Sequence, residues 1–271
     1  MNDKQYSFSD KDTTFHYRIL PDNTICIIDG IPEDLNITVP DQIGGRPVTR
    51  IGERSFLGKH LVESIRLPDS IREIGPRAFE GCMSLTAAEL PKQIQKIENG
   101  TFYGCRKLEK FILPETVEAI DYEAFAWCGG LKAVVFPKSL MEIGEGAFSG
   151  CLSLTEIDIP EKVNVIQRET FSGCAGLKTV RFSGMLTRIG SEAFAYCEAL
   201  EDIVLPESLE EIRDEAFTGC ENLRRLTIPK SVKIIEADAF NGCRRLTLSV
   251  YEGSTAEKYC RENDLAFTVL Q

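Results

Sequence analysis

The chain has 271 residues, 43% of them apolar and 27% charged, so it can bury a sizeable core and is not a disordered polymer. Its 31 basic and 42 acidic side chains give a formal net charge of −11, which argues against binding nucleic acid or an anionic bilayer. No run approaches the roughly 18 consecutive apolar residues of a membrane span, and two histidines leave little room for metal or acid–base chemistry.

The opening Met1-Asn2-Asp3-Lys4-Gln5-Tyr6 lacks the basic-then-apolar stretch of a secretory signal. Phe15 to Leu20 and Thr24 to Ile28 flank Pro21-Asp22-Asn23, which predicts a β-hairpin. Residues 1–34 therefore read as a tail and an N-terminal hairpin cap. A half-matching unit, Leu35 to Pro40, then reaches Ile51 through a longer loop at Gly44-Gly45-Arg46-Pro47.

From there the chain repeats. Phenylalanine recurs every 23 residues, at Phe56, Phe79, Phe102, Phe125, Phe148, Phe171, Phe194, Phe217 and Phe240. Three residues after every Phe but the first stands a cysteine, from Cys82 to Cys243. Leucine follows at plus six, proline usually at plus twelve, and isoleucine always at plus eighteen, from Ile74 to Ile235. The L-x-x-I-x-L segment predicts a short strand, ended by a proline that cannot donate to a ladder. The [IVL]-x-x-I segment crosses back over the core, and the Ala-Phe-x-Gly-Cys stretch predicts a tight turn of at most one helical turn. One such unit cannot bury its apolar side alone, so nine to ten coils must stack into one continuous core. Residues 35–251 form this solenoid. Residues 252–271 form a C-terminal cap: Ser254-Thr255-Ala256-Glu257 is a capping box opening a helix to about Asn263, and Leu265 to Leu270 is a last strand.

These Leu-Pro, Ile, Ala-Phe and Cys positions resemble the BspA-like leucine-rich repeats of bacteria, over roughly Leu35 to Tyr251. The resemblance implies a repeat solenoid of parallel short strands with turns or one-turn helices. It also implies protein binding rather than catalysis, at the cell surface or in adhesion and host interaction. An intracellular scaffold or regulatory module is the alternative, since the chain shows no signal and many cysteines suit a reducing compartment. A cysteine-dependent enzyme is the remote alternative. It would need His16 or His60 beside a reactive thiol, and His60 is expected near Cys82.

No cofactor or metal is expected, because the cysteines lack the paired spacing of zinc sites and no phosphate loop or hydrolase motif is present. The eight repeat cysteines are expected to be buried, reduced and in an unbroken row. Binding should use slots where the repeat departs from its own pattern. Trp127 stands at plus two, where glycine is usual, with Tyr103 and Tyr122 expected on the same edge. Ile112, Ala133 and Val135 should form an apolar patch on the outward sheet face. The expected partner is a protein, with no nucleic acid and no membrane span, and the chain is expected to be monomeric.

Overall fold

A computed structural model describes residues 4–10 and 12–271. The opening Met1 to Asp3 lies outside the described residues. The chain is a β-solenoid of about 11 turns, one or two more than the nine to ten expected, with a single helix at its C-terminal end.

Each coil contributes two short strands and a turn. The first column holds the L-x-x-I-x-L strands, for example Lys110–Ile112 and Ala133–Val135, paired in parallel at a step of 23 residues. Its inward residues, such as Phe111 and Ile157, are buried and alternate with outward ones. The crossing segments do more than cross. Two-residue strands such as Ala119–Ile120 and Glu142–Ile143 pair in parallel as a second column, placing the plus-eighteen Ile residues in the core except Ile235, which packs against it half-buried. The turn is no helix either; it forms a third hydrogen-bonded stack. Phe102 N donates to Ala124 O of the next coil and Gly104 N to Ala126 O, both at 2.8 Å.

Inside that third stack the nine phenylalanine rings lie face over face. Their centroids are 5.3–5.6 Å apart and their planes differ by 2–20°. This is the offset arrangement the ring quadrupole favours over a direct sandwich. The cysteines run beside them and act as more than small hydrophobes. Each repeat thiol donates to the carbonyl of the Phe one coil back, from Cys82 Sγ to Phe56 O at 3.2 Å through to Cys243 Sγ to Phe217 O at 3.1 Å. That carbonyl also accepts its own coil's cysteine amide, as in Cys105 N to Phe102 O at 3.1 Å. All ten cysteines are free. Seven of the eight in the row are buried, but Cys243, next to the C-terminal cap, is only half-buried.

The two ends are built differently. The N-terminal element is a three-stranded antiparallel meander rather than a hairpin: β1 (Tyr6–Asp10), β2 (Thr13–Ile19) and β3 (Ile25–Pro32). Its last strand pairs in parallel with β6 (Arg46–Ile51), reached through β4 (Asn36–Thr38) and β5 (Gln42–Ile43). The loop anticipated at residues 44–47 is a two-residue hairpin turn, in which Gly44 and Gly45 have φ of 58° and 77°. Gly30 of β3 lies under the first ring: a Cβ there would sit 2.1 Å from Phe56. Lys59, in the first coil's cysteine slot, pairs instead with Asp29 of β3 at 3.1 Å.

At the other end, Ser254 caps α1 (Thr255–Glu262) by accepting from Glu257 N at 3.1 Å. The Glu257 carboxylate returns to Gly253 N at 2.7 Å. Tyr259 closes the ring stack edge-on against Phe240, and its hydroxyl donates to Ala237 O at 2.8 Å. The last strand is shorter than expected, Phe267–Leu270, and pairs in parallel with Thr247–Tyr251.

Candidate functional site

The plus-two slot follows each Phe by two residues and lies outside the ring stack. Its backbone is left-handed in every coil, with φ near 60–76°. Seven coils fill it with glycine, which adopts that region freely. Trp127 (φ 60°) and Tyr196 (φ 58°) fill the other two, at a cost of roughly 1–2 kcal/mol for an L-residue. The fold holds Trp127 there through its amide, which donates to Ser149 O at 2.7 Å.

Both rings then lie on the glycine of the following coil. A Cβ on Gly150 would meet three Trp127 ring atoms at 2.9–3.3 Å, and one on Gly219 would meet the Tyr196 ring at 2.7 Å. Glycine at 150 and 219 thus gives each aromatic its resting place. Trp127 remains 54% exposed and Tyr196 56%.

Around Trp127 the edge opens into a groove of about 700 Å³. Tyr103 lines it from one coil earlier, half-buried. Its hydroxyl pKa is raised by partial burial and by the neighbouring carboxylates of Glu123 and Glu80. Met83 and Leu152 supply further exposed apolar walls, with Arg106 and Glu80 as the charged groups. Reading the chain by its plus-two slots alone misses Met83 and Leu152. They belong to the plus-four column, where most other coils carry a polar or small residue, and that column faces the same edge.

Tyr122 is not part of this groove. It lies at the start of its coil, 43% exposed, with its phenol beside Glu123, whose carboxylate raises the Tyr122 pKa. Ile112 and Val135 face each other across neighbouring strands of the first column, 62% and 47% exposed. Ala133 lies on the same strand face but opposite Lys110, so the patch is chiefly the Ile112–Val135 pair.

Nucleophilic chemistry has no assembled site at the first cysteine. Cys82 points inward to Phe56 O, and burial pushes its pKa up to about 12. His60 Nδ1 lies instead 2.9 Å from Gly81 O at the surface. His16 is held by Ser7 Oγ at 2.9 Å. Among the described residues no group of His, Cys, Asp and Glu is arranged to hold a metal ion. No described helix is long and apolar enough to cross a membrane.

Comparison with solved structures agrees with this architecture. A leucine-rich repeat protein of Treponema pallidum is 32% identical, with 69% of this chain and 88% of that one aligned at a TM-score of 0.66. A leucine-rich cell surface protein of Faecalibacterium prausnitzii is 24% identical over 100% of this chain and 96% of that one, at a TM-score of 0.45. No curated protein matches the chain. The BspA type leucine-rich repeat region matches in six copies over residues 36–151 and 118–247, and the chain belongs to that family.

Proposed function

We propose that this solenoid is a non-enzymatic protein-binding module that engages its partner along the Tyr103–Trp127 groove. The observation that carries this reading is the conformation of Trp127. The one tryptophan of the chain occupies a left-handed slot that seven coils give to glycine, and it stays half exposed there. Core packing does not require it, because the ring stack beneath is complete without it. Strain held at an exposed aromatic is what a binding anchor leaves on a fold. The leucine-rich repeat family supports a protein as partner, and cell-surface or host-interaction work is the setting this reading assigns. A second setting, as an intracellular scaffold, is favoured by the ten free thiols.

The test is affinity capture from lysate and from host extracellular matrix with the parent chain, Trp127→Ala, and Ile112→Ser with Val135→Ser. Truncating a true anchor costs at least ~2 kcal/mol, about thirtyfold in affinity. A protein retained by the parent and the sheet variant but lost by Trp127→Ala supports the groove. Equal capture by all three overturns it. Because Trp127 is unique, quenching of its fluorescence by the captured partner reads the same site directly.

A further inference from the structure

We infer that the first-column sheet carries, at its C-terminal end, a second binding site, one that takes a sulfated polysaccharide. A depression of about 740 Å³ opens there, lined by Arg224, Arg225, Arg245, Thr247, Ser249 and Thr268. Three features make it a site rather than a stretch of surface.

The first is charge. Acidic side chains outnumber basic ones by 42 to 31, and several exposed arginines are held in ion pairs. Arg168, Arg181 and Arg213 each pair with two carboxylates. None of the three arginines in the depression forms an ion pair among the described side chains; Arg245 donates only to the Asn222 amide oxygen, at 2.9 Å. Arg225 lies opposite Asp202 in the strand register on one side and opposite Thr247 on the other. Three arginines lining one depression, with no ion pair among the described side chains, offer bidentate donors for oxyanions.

The second is placement. Strands along the solenoid pair at steps of 23 residues, but Arg225 pairs with Thr247, a step of 22. The last coil is therefore one residue shorter between Leu246 and its strand, just after Arg245. Ser249 and Thr268 extend the row, their hydroxyls 3.2 Å apart.

The third is what is missing from the lining: every residue in it is an arginine or a hydroxyl. A folded protein partner would look for an apolar anchor, and single-stranded nucleic acid for an aromatic stacking platform. A polymer that is hydrophilic along its length and bears sulfate esters needs neither. Its sulfates meet the guanidiniums and its hydroxyls meet Thr247, Ser249 and Thr268.

The test uses the full chain and a heparin octasaccharide, followed by calorimetry at low and moderate salt. Arg225→Ala with Arg245→Ala should weaken binding at least tenfold and flatten its salt dependence. Arg181→Ala, on the same sheet but already paired, should leave it within about twofold, and Trp127→Ala should leave it unchanged. The fully desulfated octasaccharide should not bind. Equal binding by the double variant and the parent, or by the desulfated sugar, overturns the proposal. Tighter binding of a phosphopeptide or of single-stranded DNA than of the octasaccharide also overturns it, by assigning the arginines to another ligand. Loss of octasaccharide binding leaves capture at the Trp127 groove untouched, so the two sites fail separately.

Discussion

The phenylalanine row and the plus-two column run side by side over the same nine coils, two residues apart, and obey opposite rules. The row is invariant: nine rings, each 0–2% exposed, stacked on one another with no substitution. The column is glycine except where two aromatics break it and stand exposed. In the row, each side chain is specified by its copies above and below, so any change is felt in three coils. In the column, each aromatic side chain lies on one neighbouring glycine and stays about half exposed. What repeats is therefore structural, and what departs from the repeat is free to carry recognition.

Alkaline pH should break the interior side of this comparison most severely. Burial pushes Cys82, Cys128 and Cys174 up to about 12, and raises Cys105, Cys151 and Cys197 well above the ordinary value of 9.0. Above pH 9 the unfolded chain releases these protons while the folded chain keeps them, so stability is intact below that pH and falls as pH rises toward 12. Each thiol contributes about 1.4 kcal/mol per pH unit in that window. Three of them together remove about 4 kcal/mol per unit, against a total stability of roughly 5–15 kcal/mol. Circular dichroism should show cooperative unfolding as the pH rises from 9 toward 12. Cys128→Ala with Cys174→Ala should start less stable but lose stability less steeply, and a flat profile to pH 11 would contradict the buried row.

Removing one ring is the next largest effect. Phe125 stacks on Phe102 and Phe148 at 5.3 Å and receives Phe111 edge-on at 4.8 Å. Phe125→Ala should cost about 3–5 kcal/mol in urea unfolding, because the neighbouring rings cannot collapse into the space without leaving their own stacks. Native-state thiol labelling sharpens the contrast at the end of the row. Cys243 is half-buried, and its interaction with the neighbouring Cys220 thiol lowers its pKa while that of Cys220 rises. Cys243 should react first and at lower pH than a free thiol, with Cys26 the next accessible group and the eight buried thiols silent.

The period made most of this architecture legible. Phe at a fixed step of 23 places the Phe row, the plus-eighteen Ile and a strand at plus seven to plus eleven, which in coils such as Lys110–Ile112 forms only over plus eight to plus ten. The thiol–carbonyl bonds were not legible, because each joins residues 26 apart across two coils, and spacing alone names no acceptor. The second column is not legible in the sequence because strands of two residues leave no alternation to read. Tyr122 is near Trp127 in sequence, yet the minus-three and plus-two slots of one coil do not face the same groove. The arginine depression depends on a one-residue shortening after the last Phe. A search keyed to Phe spacing does not register it, although the doublets Arg224-Arg225 and Arg244-Arg245 were its visible sign.

The smallest expected effect bears most directly on the column. At position 127 a left-handed backbone is imposed by the coil, whose neighbours on both sides carry glycine in that slot, Gly104 and Gly150. Trp127→Ala removes the ring but keeps a Cβ in the disfavoured region. Trp127→Gly removes both the ring and the strain. The two variants lose the same contact with Gly150, so their difference isolates the backbone term, and Trp127→Gly should be the more stable by about 1 kcal/mol. Equilibrium unfolding followed by circular dichroism measures it. Partner binding should be lost equally in both, since neither retains the ring. Equal stability of the two variants would mean that the slot tolerates any side chain, as the minus-two slot tolerates Arg77 and Glu123 at φ of 56° and 51°. Strain would then no longer mark Trp127 out. A stability gain in Trp127→Gly accompanied by loss of binding would instead show recognition held in place against the preference of the repeat.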